Sequence, residues 1–311
     1  MIDLLPPLQR WLLFSGVLLL GGVPAWKTWI APHVAEAREL EAQVAGWGLL
    51  ASLMLLPVWG LRLAVQVQDF RDPFAPLSED LAFLVRETFW GSVWIAQGLL
   101  LVALGVTFAA LWRRPAPQEA ATRASNPKAG GLSLGWKTIW LGTLLLVLTL
   151  SLSSHAMSVP YNRPLAVAMD AAHLLAAAVW MGTLALILLL RSPPPRRASL
   201  LAVQLRAFSP LAMVAVGVLV FMGVVLSAIH LGSVQNLWGS SYGRVLSGKI
   251  AAAGLVLGLG FRNWRQGLPT LDTEKGVRTV RRRAALEVAA AGIVLLLTAL
   301  LTGTSMPADT H

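Results

Sequence analysis

Long apolar runs broken by short polar loops set the pattern of this chain. Crossing ~30 Å of hydrocarbon takes about 20 predominantly apolar helical residues. Runs of that order recur at about 11–29, 44–67, 88–112, 136–157, 165–190, 208–232, 243–262 and 284–304. The pattern predicts eight spanning helices. Pro57, inside the second, is tolerable because neighbouring helices or water satisfy the carbonyl it frees. The stretch from Asp69 to Asp80, with Pro73, Pro76 and Ser78 ahead of Leu81, reads as a loop and then a capped entry into the third helix. Residues Pro115 to Gly131 are polar and rich in Ala, Pro and Gly, and read as a mobile loop. The first ten residues hold Asp3, two prolines and Arg10 as the one base. They lack the basic start of a signal peptide, so the first apolar run is expected to be retained as a helix.

Composition agrees: 56% hydrophobic residues, 13% charged and a mean hydropathy of +0.66 belong to a polytopic membrane protein, not a soluble fold. A net charge of +10 raises nucleic acid as a partner, and its distribution argues against it. Loops 113–137, 191–206 and 262–283 carry 16 of the 25 Lys and Arg residues. All three fall on one side in an eight-helix count, the side that positive-inside orientation makes cytoplasmic. Both termini are then expected to be periplasmic. The loop 30–43, where Glu36, Glu39 and Glu41 outweigh Lys27 and Arg38, goes inside by parity. Cysteine is absent, which removes thiolate metal sites and thiol redox chemistry. Of the 13 tryptophans, Trp11, Trp26, Trp112, Trp136 and Trp238 stand at span ends, as an aromatic belt requires.

An internal echo runs through the chain. Thr88-Phe-Trp-Gly91 precedes Gln97 by the same six residues that separate Ser240-Ser-Tyr-Gly243 from Lys249. The fold class is therefore all-α, a polytopic bundle of about eight transmembrane helices that reads as two parallel four-helix repeats.

The chemistry concentrates between Ser153 and Gly182. His155 and Met157 end the fourth helix; Met169, Asp170 and His173 open the fifth, and Trp180 and Met181 follow on it. Met169, Asp170 and Trp180 share a face with His173 by helical spacing. An ionisable group inside a span is costly and points to function. The bland alternative is a mutually satisfied Asp170–His173 pair, and for His155 and His230 an interfacial imidazole reaching water. His155, His173, His230, Met157, Met169 and Met306 all fall near one face. Imidazole and thioether without thiolate suit copper better than zinc, magnesium or calcium. Asp170 then serves as a Cu(II) ligand or holds the His173 tautomer. Trp94 and Trp180 lie deep enough to line a pathway. Glu287 is expected to pair with the Arg281–Arg283 run or cap its helix; Lys249 either snorkels outward or meets a carboxylate.

These residues carry a resemblance. His155-Ala, the run from Asp170 and His173 to Trp180-Met181-Gly182, Phe208-Ser-Pro210, Tyr242-Gly-Arg244 with Lys249, and Glu287 resemble the copper resistance protein D (CopD) family. The resemblance covers helices four to eight, and helix three more loosely through Thr88, Gly91 and Trp94, where Trp90 and Gln97 stand in place of an expected Phe and Arg. It divides the chain into an N-terminal transmembrane half, 1–134, and a CopD-like half, 135–311. It implies a bacterial inner-membrane protein that handles copper beside a separate periplasmic copper-binding protein of the CopC kind.

The leading expectation is a copper carrier, not an enzyme, with His155, His173, His230, Met157 and Met169 as ligands at the periplasmic face. Asp170, Trp180, Met181, Met306 and Trp94 would support the site or line the pathway. Two alternatives stand beside it. One is a b-type cytochrome in which two of the three histidines hold haem, which would carry a redox role. The other is a non-transporting copper-delivery partner. No ATP-binding loop is present in the sequence.

Overall fold

The computed structural model describes residues 4–114, 132–158, 162–231 and 233–304, without the side chains of His155, Ser158, Pro194 and Pro195. Met306 and the 115–131 loop lie outside the described residues. Among the described residues eight helices are long and apolar enough to cross a bilayer: Leu5–His33, Ala37–Asp69, Phe89–Trp112, Leu134–Ser151, Arg163–Leu189, Arg196–Leu231, Ser241–Thr270 and Glu274–Leu301. They are called spans one to eight below. The chain is an all-α polytopic membrane bundle, as the apolar pattern predicted. Several spans outrun their apolar runs. Span six starts twelve residues before Phe208 because Leu201, Leu205 and Phe208, spaced along one face, are all buried against neighbouring spans.

Spans one and five form the centre. Spans two, four and eight pack on the first, and spans four, six and eight on the fifth. The two central helices touch backbone to backbone: a Cβ placed on Gly22 would fall into the Gly182 peptide, one on Gly182 into the Leu18 carbonyl, and one on Gly21 would lie 2.7 Å from the Ala178 methyl. Small residues permit such close approach where lipid supplies no hydrophobic drive. Each central span also relaxes into a π-helical turn beside the crossing, at Trp26–Ile30 and Ala178–Gly182, a local expansion often found at functional sites.

The described parts of the basic loops gather on one face. Gln43 Nε2 donates to the Arg191 carbonyl and Arg191 N–H to Gln43 Oε1, both at 2.9 Å. Trp26 donates to Gln204 at 2.8 Å, and Arg206 pairs with Asp272. Lys27 bonds Glu41 at 2.7 Å, and Glu41 also accepts from Trp136. The acidic 30–43 loop therefore lies with the basic ones, its Glu41 neutralising Lys27. Trp26 and Trp136 are fully buried here, so they are internal hydrogen-bond donors and not belt residues as expected; Trp112 and Trp238, both exposed, fit a belt.

Residues 69–80 are not a simple loop. Leu77–Arg86 is a separate helix with Glu79 and Asp80 in its first turn and Arg86 in its last, charges that suit the helix dipole. It is too short to span, and span three is capped by Thr88, not Ser78. Thr88 Oγ1 accepts from Gly91 N–H at 2.9 Å, and Ser240 Oγ accepts from Gly243 N–H at 2.9 Å at the head of span seven. Gly91 and Gly243 each press on the carbonyls of a preceding short helix. The sequence echo thus has a structural counterpart. Thr88→Ala and Ser240→Ala are each expected to cost ~1 kcal/mol, seen as faster hydrogen exchange at the following amides.

Candidate functional site

At the end opposite the basic loops, span four closes with Ser153 and Ser154 just before His155. Each serine is held by a different half of the bundle. Arg62 of span two donates to Ser153 Oγ at 2.8 Å and to Gln97 Oε1 at 2.6 Å, while Gln97 Nε2 donates to the Thr149 carbonyl at 3.1 Å. Ser154 Oγ donates to Asp170 Oδ2 of span five at 3.0 Å. The His155 backbone, which opens the short 3₁₀ turn His155–Ser158, is thereby fixed between the halves. Arg62 lies over Trp90, 5.5 Å from the ring centroid, and Trp59 and Trp94 stack at 4.0 Å. Trp94 therefore belongs to the Arg62 cluster, where its neighbours are Trp59 and Trp90. Arg62→Ala leaves Gln97 Oε1 without its donor, and is expected to cost about 1–3 kcal/mol, read as a lowered thermal midpoint in detergent.

His173 sits ten residues into span five, ~15 Å along it at 1.5 Å per residue. Its Nδ1–H donates to the Leu219 carbonyl of span six at 3.0 Å. A carbonyl only accepts, so this bond fixes the proton on Nδ1 and leaves the Nε2 lone pair for a ligand. The Leu219 carbonyl does for His173 what Asp170 was a candidate to do; Asp170 is joined to Ser154 instead. Gly223, one turn beyond Leu219, gives the ring room: a Cβ there would lie 3.1 Å from His173 Cε1. Lys249 of span seven, partly buried, brings its charge within electrostatic reach of both Asp170 and His173. Of the two readings open for Lys249, the structure favours the inward one.

The other expected ligands lie around this point at different heights. Met169 is one turn outward from His173 on the same face. His230 follows Gly223 by seven residues on span six, the same face ~10 Å further outward. Met157 packs on a small cluster of Ala156, Ala166 and Val167. The side chain of His155 lies outside the described residues. Among the described residues no three of His, Asp and Glu come together as a metal-binding group. Met169, His173 and His230 form a stepped series along spans five and six.

Inward from His173, Trp180 and the partly buried Met181 lead toward a cleft of about 380 Å³ between spans five, six, seven and eight. Trp180 lines it, and so does Glu287, only 3% exposed. Glu287 does not pair with Arg281–Arg283 as expected: its Oε2 accepts from Asn263 Nδ2 at 3.0 Å. The arginines stand one to two turns earlier on span eight, and among the described residues no ion pair joins them to Glu287. Arg62 and Asn263 are the residues the sequence did not single out. The spacing of Arg62 marks the outer end of span two, where a long cation ordinarily snorkels.

An eight-span bundle with an oriented imidazole, a carboxylate and a lysine inside it is a polytopic membrane protein with a polar site between its spans. Comparison with known families fixes which one. The model of the copper resistance protein D-like N-terminal domain matches residues 1–159, and that of copper resistance protein D matches residues 202–301. The chain belongs to the copper resistance protein D family. It is also similar to the copper transport protein CutJ of Bacillus subtilis, 31% identical over 227 residues, 71% of this chain and 37% of the relative. The chain thus spans little more than a third of the length of that curated relative. No solved structure matches.

Proposed function

We propose that this protein carries copper across the bacterial inner membrane, receiving it at the face opposite the basic loops and passing it inward along spans five and six. His173 is the central ligand, with Met169 beside it and His230, Met157 and His155 nearer the surface. The observation that carries the reading is the bond from His173 Nδ1–H to the Leu219 carbonyl, which leaves an Nε2 lone pair for a ligand in a chain from a copper resistance family. Imidazole with thioether suits copper in either oxidation state: sulfur favours Cu(I), and Asp170 adds an oxygen donor for Cu(II). Thr183 to Leu189 and the π turn before it then form the inner half of the route. The protein acts as a carrier and not as an enzyme, its termini face the periplasm, and a periplasmic copper-binding protein supplies or receives the metal.

Cytoplasmic copper, measured in cells with and without the protein at fixed external copper, tests this. A carrier changes cytoplasmic copper, and His173→Ala abolishes the change. A protein that only delivers copper to a periplasmic enzyme alters that enzyme's maturation while cytoplasmic copper stays level, which would overturn the transport reading.

A further inference from the structure

The cleft beside Trp180 holds a buried carboxylate and, beside it, an amide oxygen that no donor reaches among the described residues. Glu287 Oε2 takes the Asn263 amide hydrogen at 3.0 Å, and no ion pair to Glu287 is present among the described residues. Asn263 Oδ1 is buried without a partner. A carboxylate inside a membrane bundle with neither a base nor a full set of donors is held at high cost. Two structural features keep it there. Gly260 leaves open the space next to Glu287 Oε1, where a Cβ would lie 3.0 Å away. Asn263 opens the π turn Asn263–Gly267, and the cleft is also lined by Trp180 from the π turn of span five. Two of the three π turns described thus border this one cleft.

What completes the pair must bring a donor. Copper(I) is a poor candidate, because carboxylate and amide oxygens are hard ligands. A proton fits: bound at Glu287 Oε1 it removes the buried charge and supplies the donor that Asn263 Oδ1 lacks, while Asn263 Nδ2 keeps its bond to Oε2. We propose that Glu287 and Asn263 form a proton-binding site that couples copper movement to the proton gradient. The step is a simple protonation, Glu–COO⁻ plus H⁺ giving Glu–COOH, with the proton exchanged through the open cleft. The coupling rests on the transport reading above; the proton site does not.

Among the described residues no other titratable side chain lines the cleft. Span five contributes Trp180 and Leu184, span six Phe208 and Ser209 among apolar residues, and span seven Gly260 and Phe261. Around it, Arg206 is engaged by Asp272 and Arg262 by Gln266. Span one, which packs on span eight through Trp11 and the Gly292 carbonyl, carries its own bases, Arg10 and Lys27, toward its two ends. Arg283 stands one turn before Glu287 on span eight.

The test has two arms on the purified full chain. Infrared difference spectra between acid and alkaline buffer read the site without transport. A carboxyl C=O band that titrates, is lost in Glu287→Gln and shifts in Glu287→Asp supports it; a spectrum unchanged by Glu287→Gln overturns it. In copper-supplied liposomes, wild-type flux is expected to change several-fold when a protonophore collapses an imposed pH gradient. Glu287→Gln is expected to lose that dependence while binding the same copper per chain, and Glu287→Asp to keep part of it. Gradient-dependent flux in Glu287→Gln equal to wild type overturns the coupling. Wild-type liposomes that move no copper at all refute transport, and leave the proton site to be decided by the infrared arm.

Discussion

Gly22→Val is expected to prevent the bundle from assembling. The nearest atoms to the new side chain are the Gly182 peptide carbon and oxygen and the Thr183 nitrogen, all backbone, so no rotamer change relieves the clash. Ordinary overpacking costs ~1–3 kcal/mol; separating the two central helices also opens the contacts of spans two, four and eight that pack on them. Loss of monodisperse protein in detergent, or a thermal midpoint lowered by many degrees, is the expected result. Gly217→Ala in span six, where no atom lies within 4 Å of the new methyl, is the matched control. It removes a helix-weakening glycine and is expected to leave stability level or raise it by up to ~1 kcal/mol. Equal behaviour of the two variants would contradict the crossing as the centre of the fold.

His173→Ala is expected to have the largest effect on copper, on the order of 100-fold or more in affinity, since loss even of an outer partner of a ligand costs 10–100-fold. Gly223→Ala separates ligand orientation from ligand loss. Its methyl, 3.1 Å from His173 Cε1, pushes the ring without removing it and disturbs the bond to Leu219. About a tenfold weakening is expected, with the copper stoichiometry kept. Copper titration of both variants followed by thermal unfolding distinguishes this from misfolding: both are expected to unfold close to the wild-type temperature.

The fold was legible in the sequence to the extent that apolar length decides it. The number of spans, their order and the common side of the basic loops follow from where about 20 apolar residues can sit and where arginine can remain. The contacts between spans were not legible, because apolar periodicity in lipid marks no single face as inward. Gly22 and Gly182 are two of 27 glycines, and only their partners distinguish them from Gly217. Leu77–Arg86 was hidden because Pro73 and Pro76 mark a loop and ten residues cannot cross a membrane. At the candidate site, His173 and Asp170 stood out through the cost of placing them at depth. Their actual partners, the Leu219 carbonyl and Ser154, did not, since a carbonyl leaves no sequence signal and serine is common at helix ends. Glu287 was assigned to the neighbouring arginines by proximity in the chain; its partner, Asn263, stands on span seven 24 residues earlier, and an asparagine at a span end leaves no signal of that pairing in the sequence.

The account depends on His173 offering Nε2 to copper inside the bundle. Metal analysis and absorption of one purified sample, wild type beside His173→Ala, test that most directly. About one tightly bound copper per chain in the wild type, absent from His173→Ala, with no Soret band in either, is the expected outcome. Copper stoichiometry unchanged by His173→Ala, or a Soret band that marks haem on these histidines, would contradict it.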